Sequence, residues 1–97
     1  MVFSDSRQVI KAPKVLVQEL GGEAVLLNLG NDQYYGLDEN SFEMYRVLTS
    51  SPSVQAACET LLQEYEIDSA QLQLDLDQFL AHLLENDLVV YVNGKLA

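Results

Sequence analysis

The apolar positions of this chain change their spacing near residue 38. Before that point they read as strands. "KVLVQEL" (14–20) is rich in β-branched residues and stops at Gly21-Gly22, a hairpin-type turn. "EAVLLNL" (23–29) follows with a continuous apolar centre, the pattern of a buried middle strand. "GND" (30–32) is a second turn, and "QYYGL" (33–37) is a short third strand. Together they form a meander whose third strand is expected at an edge.

After residue 37 the period lengthens to that of a helix. Asp38 or Asn40 fits an N-cap, and Asn40 with Glu43 has capping-box spacing. Phe42, Tyr45 and Leu48 recur at threes and predict a helix of about three turns, ending near "TSSPS" (49–53). Ser53 caps a second helix with the stripe Val54, Ala57, Cys58, Leu61, Leu62 and Tyr65. A third helix starts at Asp68 or Ser69 and turns Leu72, Leu76, Phe79, Leu80, Leu83 and Leu84 inward. "LQLDLD" (72–77) alternates like a strand, but the three-four spacing continues through Leu84 and favours helix. At about 100° per residue, Leu74 then lies nearly opposite Leu72, off the core stripe. "LVVYV" (88–92) is a strand candidate, and "NG" (93–94) is a hairpin turn signal.

The expected fold is α+β and winged-helix-like: a three-stranded antiparallel meander, three helices and a short C-terminal wing strand. Residues 1–12 are expected as a flexible N-terminal arm, with an extra strand as the other reading. Residues 13–97 are expected to form a single domain.

Charge narrows the function. Fifteen acidic residues against five basic ones give a net charge of -10. That argues against nucleic acid and anionic membranes, which are bound through clustered Lys and Arg. Cys58 is the single cysteine, so no internal disulfide forms and a reducing compartment is the default. The start has no secretion signal, and no apolar run approaches the roughly 20 residues of a membrane span. The expectation is a cytoplasmic protein.

Catalytic chemistry is hard to assemble from these residues. His82 is the lone histidine, on a helix surface, and Cys58 sits on an apolar stripe without a partner motif. One His and one Cys make no metal site. The carboxylate pairs (Asp75 and Asp77, Glu85 and Asp87, Glu64 and Glu66) fall on solvent faces and inter-element loops. No phosphate loop or calcium loop is present. No catalytic residue, metal or cofactor is expected. What remains is the sheet edge, where unpaired N–H and C=O groups can accept an extended peptide, with the third helix as the second wall of a groove.

"GEAVLLNLGNDQYYGLDENSFEMYRVL" followed by "FLAHLLENDLVV" resembles the PqqD-like proteins, or RiPP recognition elements, over about residues 7 to 92. RiPPs are ribosomally made, post-translationally modified peptides. Family members often carry Gly, an aliphatic residue and Trp on the first helix; the matching places here are Ser41-Phe42 and Met44-Tyr45. The resemblance implies a non-catalytic domain that binds the leader segment of a precursor peptide as an added strand and presents it to a modifying enzyme. It places peptide binding on Gln33, Tyr34, Tyr35, Gly36 and Leu37 of the third strand and on Leu74, Asp75, Gln78 and His82 of the third helix. A chain of this size with "YYGLDE" looks most like the leader-binding proteins of lasso-peptide clusters, whose partner is a leader peptidase. The PqqD chaperone, serving a radical enzyme, is a near relative. A winged-helix DNA-binding protein or a plain adaptor are the remaining alternatives.

Overall fold

The computed structural model describes residues 6–92. The elements run β1 (Val9–Lys11), β2 (Val15–Leu20), β3 (Glu23–Asn28), β4 (Gln33–Leu37), α1 (Glu39–Ser50), α2 (Val54–Glu64), α3 (Ser69–Glu85) and β5 (Val89–Tyr91). β2, β3 and β4 form the antiparallel meander in that order, and β1 pairs with β5 in a separate two-stranded sheet. Of the two readings for residues 1–12, the strand describes Val9–Lys11. Val9 pairs with Tyr91 and is fully buried, and the Arg7 guanidinium lies 4.2 Å from the Tyr91 ring centroid. The "NG" turn expected at 93–94 lies outside the described residues.

Local chemistry sets the element ends. Gly21 and Gly22 have φ +60° and +89°, so the β2–β3 hairpin turns through two left-handed residues, which glycine adopts without strain. Asp38, Ser53 and Asp68 cap the helices by accepting the backbone N–H of Ser41, Ala56 and Gln71. Asn40 falls inside α1, so the capping-box spacing was coincidental. α3 is one continuous helix through 72–77. It closes with Asp87 N–H bonded to the Leu84 carbonyl and Leu88 N–H to that of Leu83, with Asp87 at φ +57°.

The core lies on one face of the meander. Val15, Ala24, Leu26 and Leu37 point inward and meet Phe42, Tyr45, Leu48, Val54, Leu61, Leu76 and Leu83 from the helices. The middle strand is therefore only half buried: Ala24, Leu26 and Asn28 are covered, while Val25 and Leu27 keep partial exposure. The reason is layering. α1 packs on β3 and β4, α2 bridges α1 and α3, and among the described residues no element covers the opposite face. Buried Asn28 is satisfied by its surroundings. Its Nδ2 donates to the Asp87 carbonyl at 3.1 Å, and its Oδ1 accepts the Gly30 N–H at 2.8 Å. The first bond ties the sheet to the C-terminal end of α3, and the second closes the turn after β3.

Candidate functional site

β4 ends the sheet, and among the described residues no strand pairs with its outer side. The register says which groups face outward. Leu29 N–H donates to the Lys14 carbonyl at 2.8 Å, so Glu23, Val25 and Leu27 use their main-chain groups on β2. Ala24, Leu26 and Asn28 then face β4 and engage Leu37, Tyr35 and Gln33. The N–H and C=O groups of Tyr34 and Gly36 are left pointing away from the sheet. A Cβ built on Gly36 would meet nothing within 4 Å, so the face on which Tyr34 stands is open there too.

The two tyrosines divide as alternation requires. Tyr35 is half-buried and packs against the core; Tyr34 stands on the uncovered face at 73% exposure. The Tyr35 hydroxyl donates to Asn86 Oδ1 at 2.8 Å, and its ring meets His82 edge-on at a centroid distance of 6.4 Å. Asn86 Nδ2 in turn donates to the His82 carbonyl at 2.9 Å. This network pins the C-terminal turns of α3 beside β4. Asn86 is a residue that the sequence reading missed; as the residue just past a helix it carries no signal of a partner 51 positions away.

The other predicted helix residues follow from that anchor. Asp75, Gln78 and His82 fall within about 60° of one another's direction on α3, on the side that meets Tyr35. Leu74 is rotated about 80° from His82, on the shoulder of this stripe, and is 51% exposed. Gln71 Nε2 donates to Asp75 Oδ1 at 2.9 Å. The structure thus brings Tyr35 and His82 together directly, lines Asp75 and Gln78 along the same side, and sets Leu74 at the margin. Leu37 is buried in the core, and Gln33 is exposed at the start of the strand.

Where β4 runs on into α1, a cavity of about 410 Å³ opens between helices, lined by Met44, Tyr65, Ile67 and Leu72 with Asn40, Glu66 and Asp75. Asp75 and Leu72 lie near the start of α3, while His82 and Asn86 lie near its end. α3 therefore runs opposite in direction to the segment from Tyr35 to Asn40. The cavity lining is mostly apolar, with the carboxylates of Glu66 and Asp75 beside it. Nearby, Asp38 is held below its ordinary pKa of 3.8 by the Ser41 backbone N–H and side chain. Among the described residues no group of three or more His, Cys, Asp or Glu could hold a metal ion, and no helix is long and apolar enough to cross a membrane.

The family model for coenzyme PQQ synthesis protein D (PqqD) matches residues 23–89, from the start of β3 into β5. The chain belongs to the PqqD family. Two solved structures share its fold. TbiB1 in complex with the TbiA(beta) leader peptide has a TM-score of 0.77 at 24% identity, covering 91% of this chain and 99% of that one. Lasso peptide synthetase B1 complexed with the leader peptide has a TM-score of 0.76 at 20% identity, covering 86% and 98%. A search of the curated proteins found no match. The PqqD-like, winged-helix-like α+β arrangement expected from the sequence is the arrangement observed. In this member of the PqqD family, Phe42 and Tyr45 are the buried aromatic residues of α1. Both fill the core, at 6% and 3% exposure.

Proposed function

We propose that this protein captures the leader segment of a ribosomal precursor peptide as an extra strand on β4, with α3 as the second wall. It then hands the peptide to a modifying enzyme. The observation that carries this reading is the unpaired edge at Tyr34 and Gly36 beside the pinned face of α3. Main-chain groups of those two residues supply affinity that is independent of peptide sequence. Tyr35, His82, Gln78, Asp75 and the apolar cavity below them supply side-chain discrimination, while Tyr34 and Leu74 flank the peptide from the open sides. Gln33 and Leu37 hold the strand at its ends.

The fold shared with two proteins solved with leader peptides supports the same reading. It also favours a lasso-peptide pathway, in which the recipient is a leader peptidase; the single cysteine favours a cytoplasmic setting. The protein itself performs no chemistry in this scheme. The net charge of -10 favours leaders that carry Lys or Arg, and salt should weaken their capture. A PqqD-type role beside a radical enzyme is the second reading, favoured by the family model's own description.

The test is titration of a fluorescent leader peptide from the neighbouring precursor gene. Saturable binding that Tyr34→Ala and Leu74→Asp both weaken, with the fold intact, is the expected result. If both variants bind like wild type while a substitution elsewhere abolishes binding, the proposed site is misplaced. Co-purification with a peptidase or with a radical enzyme separates the two pathways. Retention on heparin would instead favour nucleic acid.

A further inference from the structure

Among the described residues, the meander has a second open edge. Only Val15 of β2 is buried, and the strand carries Leu16 at 54%, Val17 at 39% and Leu20 at 67% exposure. By the same alternation, Leu16, Gln18 and Leu20 spend their main-chain groups on β3, and Val15, Val17 and Glu19 face away. Val15 is already served: its N–H donates to the Ala12 carbonyl at 3.1 Å, and its carbonyl accepts Lys11 Nζ at 2.6 Å. Among the described residues, Val17 and Glu19 alone keep open groups on this edge, placed symmetrically about Gln18.

We propose that β2 pairs antiparallel with β2 of a second copy, about a two-fold axis through Gln18. One register satisfies all the constraints. Val17 faces Glu19 of the other copy and Glu19 faces its Val17, each pair exchanging both main-chain bonds, so every open group is used. Gln18 faces Gln18. On the uncovered face Leu16 then lies opposite the other copy's Leu20, forming apolar cross-strand pairs. Moving the register by one residue sets inward side chains against outward ones. Moving it by two either needs the occupied groups of Val15 or puts Glu19 opposite Glu19, a like-charge pair. The hairpin tip that would pass the partner's Lys11–Pro13 is Gly21-Gly22, which has no side chains to obstruct it.

The product is a six-stranded sheet with β4 at both outer ends, so each copy keeps the outer side of β4 open. The proposal stands on β2 alone and does not depend on leader capture. The contact is small, so association in the micromolar to millimolar range is expected. With -10 on each copy, added salt should strengthen it, the opposite of its effect on a basic leader.

Two measurements decide the matter. Sedimentation of the full chain from roughly 1 μM to 1 mM should show a monomer–dimer equilibrium that shifts toward dimer with salt. Val17→Pro removes an outward N–H and no ladder bond, so it should stay folded and become monomeric. Cysteine placed at residue 18 (Gln18→Cys, with Cys58→Ala) should form an intermolecular disulfide on mild oxidation. Non-hydrogen-bonded partners sit about 4.5 Å apart at Cα, within disulfide range. Tyr34→Cys in the same background should not form one. A wild-type chain that stays monomeric at about 1 mM overturns the proposal, as does equal cross-linking at residues 18 and 34.

Discussion

A proline scan of β4 separates binding from folding because the strand's N–H groups point in two directions. Gly36 N–H faces the open edge, and Tyr35 N–H faces β3 at Leu26. Gly36→Pro therefore deletes a donor for an added strand and turns the ring toward it, while the ladder stays whole. One main-chain bond contributes about 0.5–1.5 kcal/mol net, and crowding of the neighbouring bond roughly doubles that. A loss of about 1–3 kcal/mol corresponds to leader affinity roughly 5- to 150-fold weaker. Thermal stability should move little, since proline on an edge with its N side outward is tolerated. Tyr35→Pro is the mirror case. It removes a ladder bond and forces the strand, costing about 3 kcal/mol or more. At roughly 4–8 °C per kcal/mol for a domain of this size, the melting temperature should fall by about 12 °C or more. Fluorescence anisotropy with a labelled leader reads the first effect, and circular dichroism melting reads the second. Wild-type affinity in a folded Gly36→Pro protein would show that no strand is added at this edge. Unfolding by Gly36→Pro with tolerance of Tyr35→Pro would show that the alternation is inverted.

Other substitutions probe the supports. Asn86→Ala removes the acceptor of the Tyr35 hydroxyl and a cap on the His82 carbonyl; it should cost about 1–2 kcal/mol in denaturant unfolding and weaken leader binding as α3 loosens. The Tyr45 hydroxyl is buried with no hydrogen-bond partner among the described residues, and burial raises its pKa to about 12, so Tyr45→Phe should stabilise the fold by roughly 1 kcal/mol in thermal melts. Asp87 holds a left-handed φ of +57° at the end of α3, where glycine carries no strain, so Asp87→Gly should add about 0.5–1 kcal/mol. Asp38 has a folded pKa below 3.8, so the stability from its cap is complete above that value and is lost as pH falls through the depressed one. Asp38→Asn keeps a cap and should flatten this acidic segment of the stability–pH curve, measured by urea unfolding across pH 2–5.

Much of this architecture is written in local pattern. The β-branched run at 14–20 and the short strand at 33–37, the two glycines between the first strands, the caps at Asp38, Ser53 and Asp68, and the three-four spacing through Leu84 each involve residues close in sequence. Such signals need no knowledge of the rest of the chain. The division of Tyr35 inward and Tyr34 outward belongs here too, because it follows from phase with Leu37. So does the place of Leu74 off the core stripe of α3.

What tertiary structure alone decided is which surfaces found partners. Val9–Lys11 became a strand because β5 arrives beside it from the far end of the chain. Leu16, Leu20 and Tyr34 stayed exposed because all three helices settled on the opposite face. Asn86 met Tyr35, and Asn28 met Asp87, only because α3 ends next to the sheet. An edge is open or closed according to what packs beside it, and that neighbour is set by a summed burial of apolar area over the whole chain. A residue's own spacing carries no record of that sum.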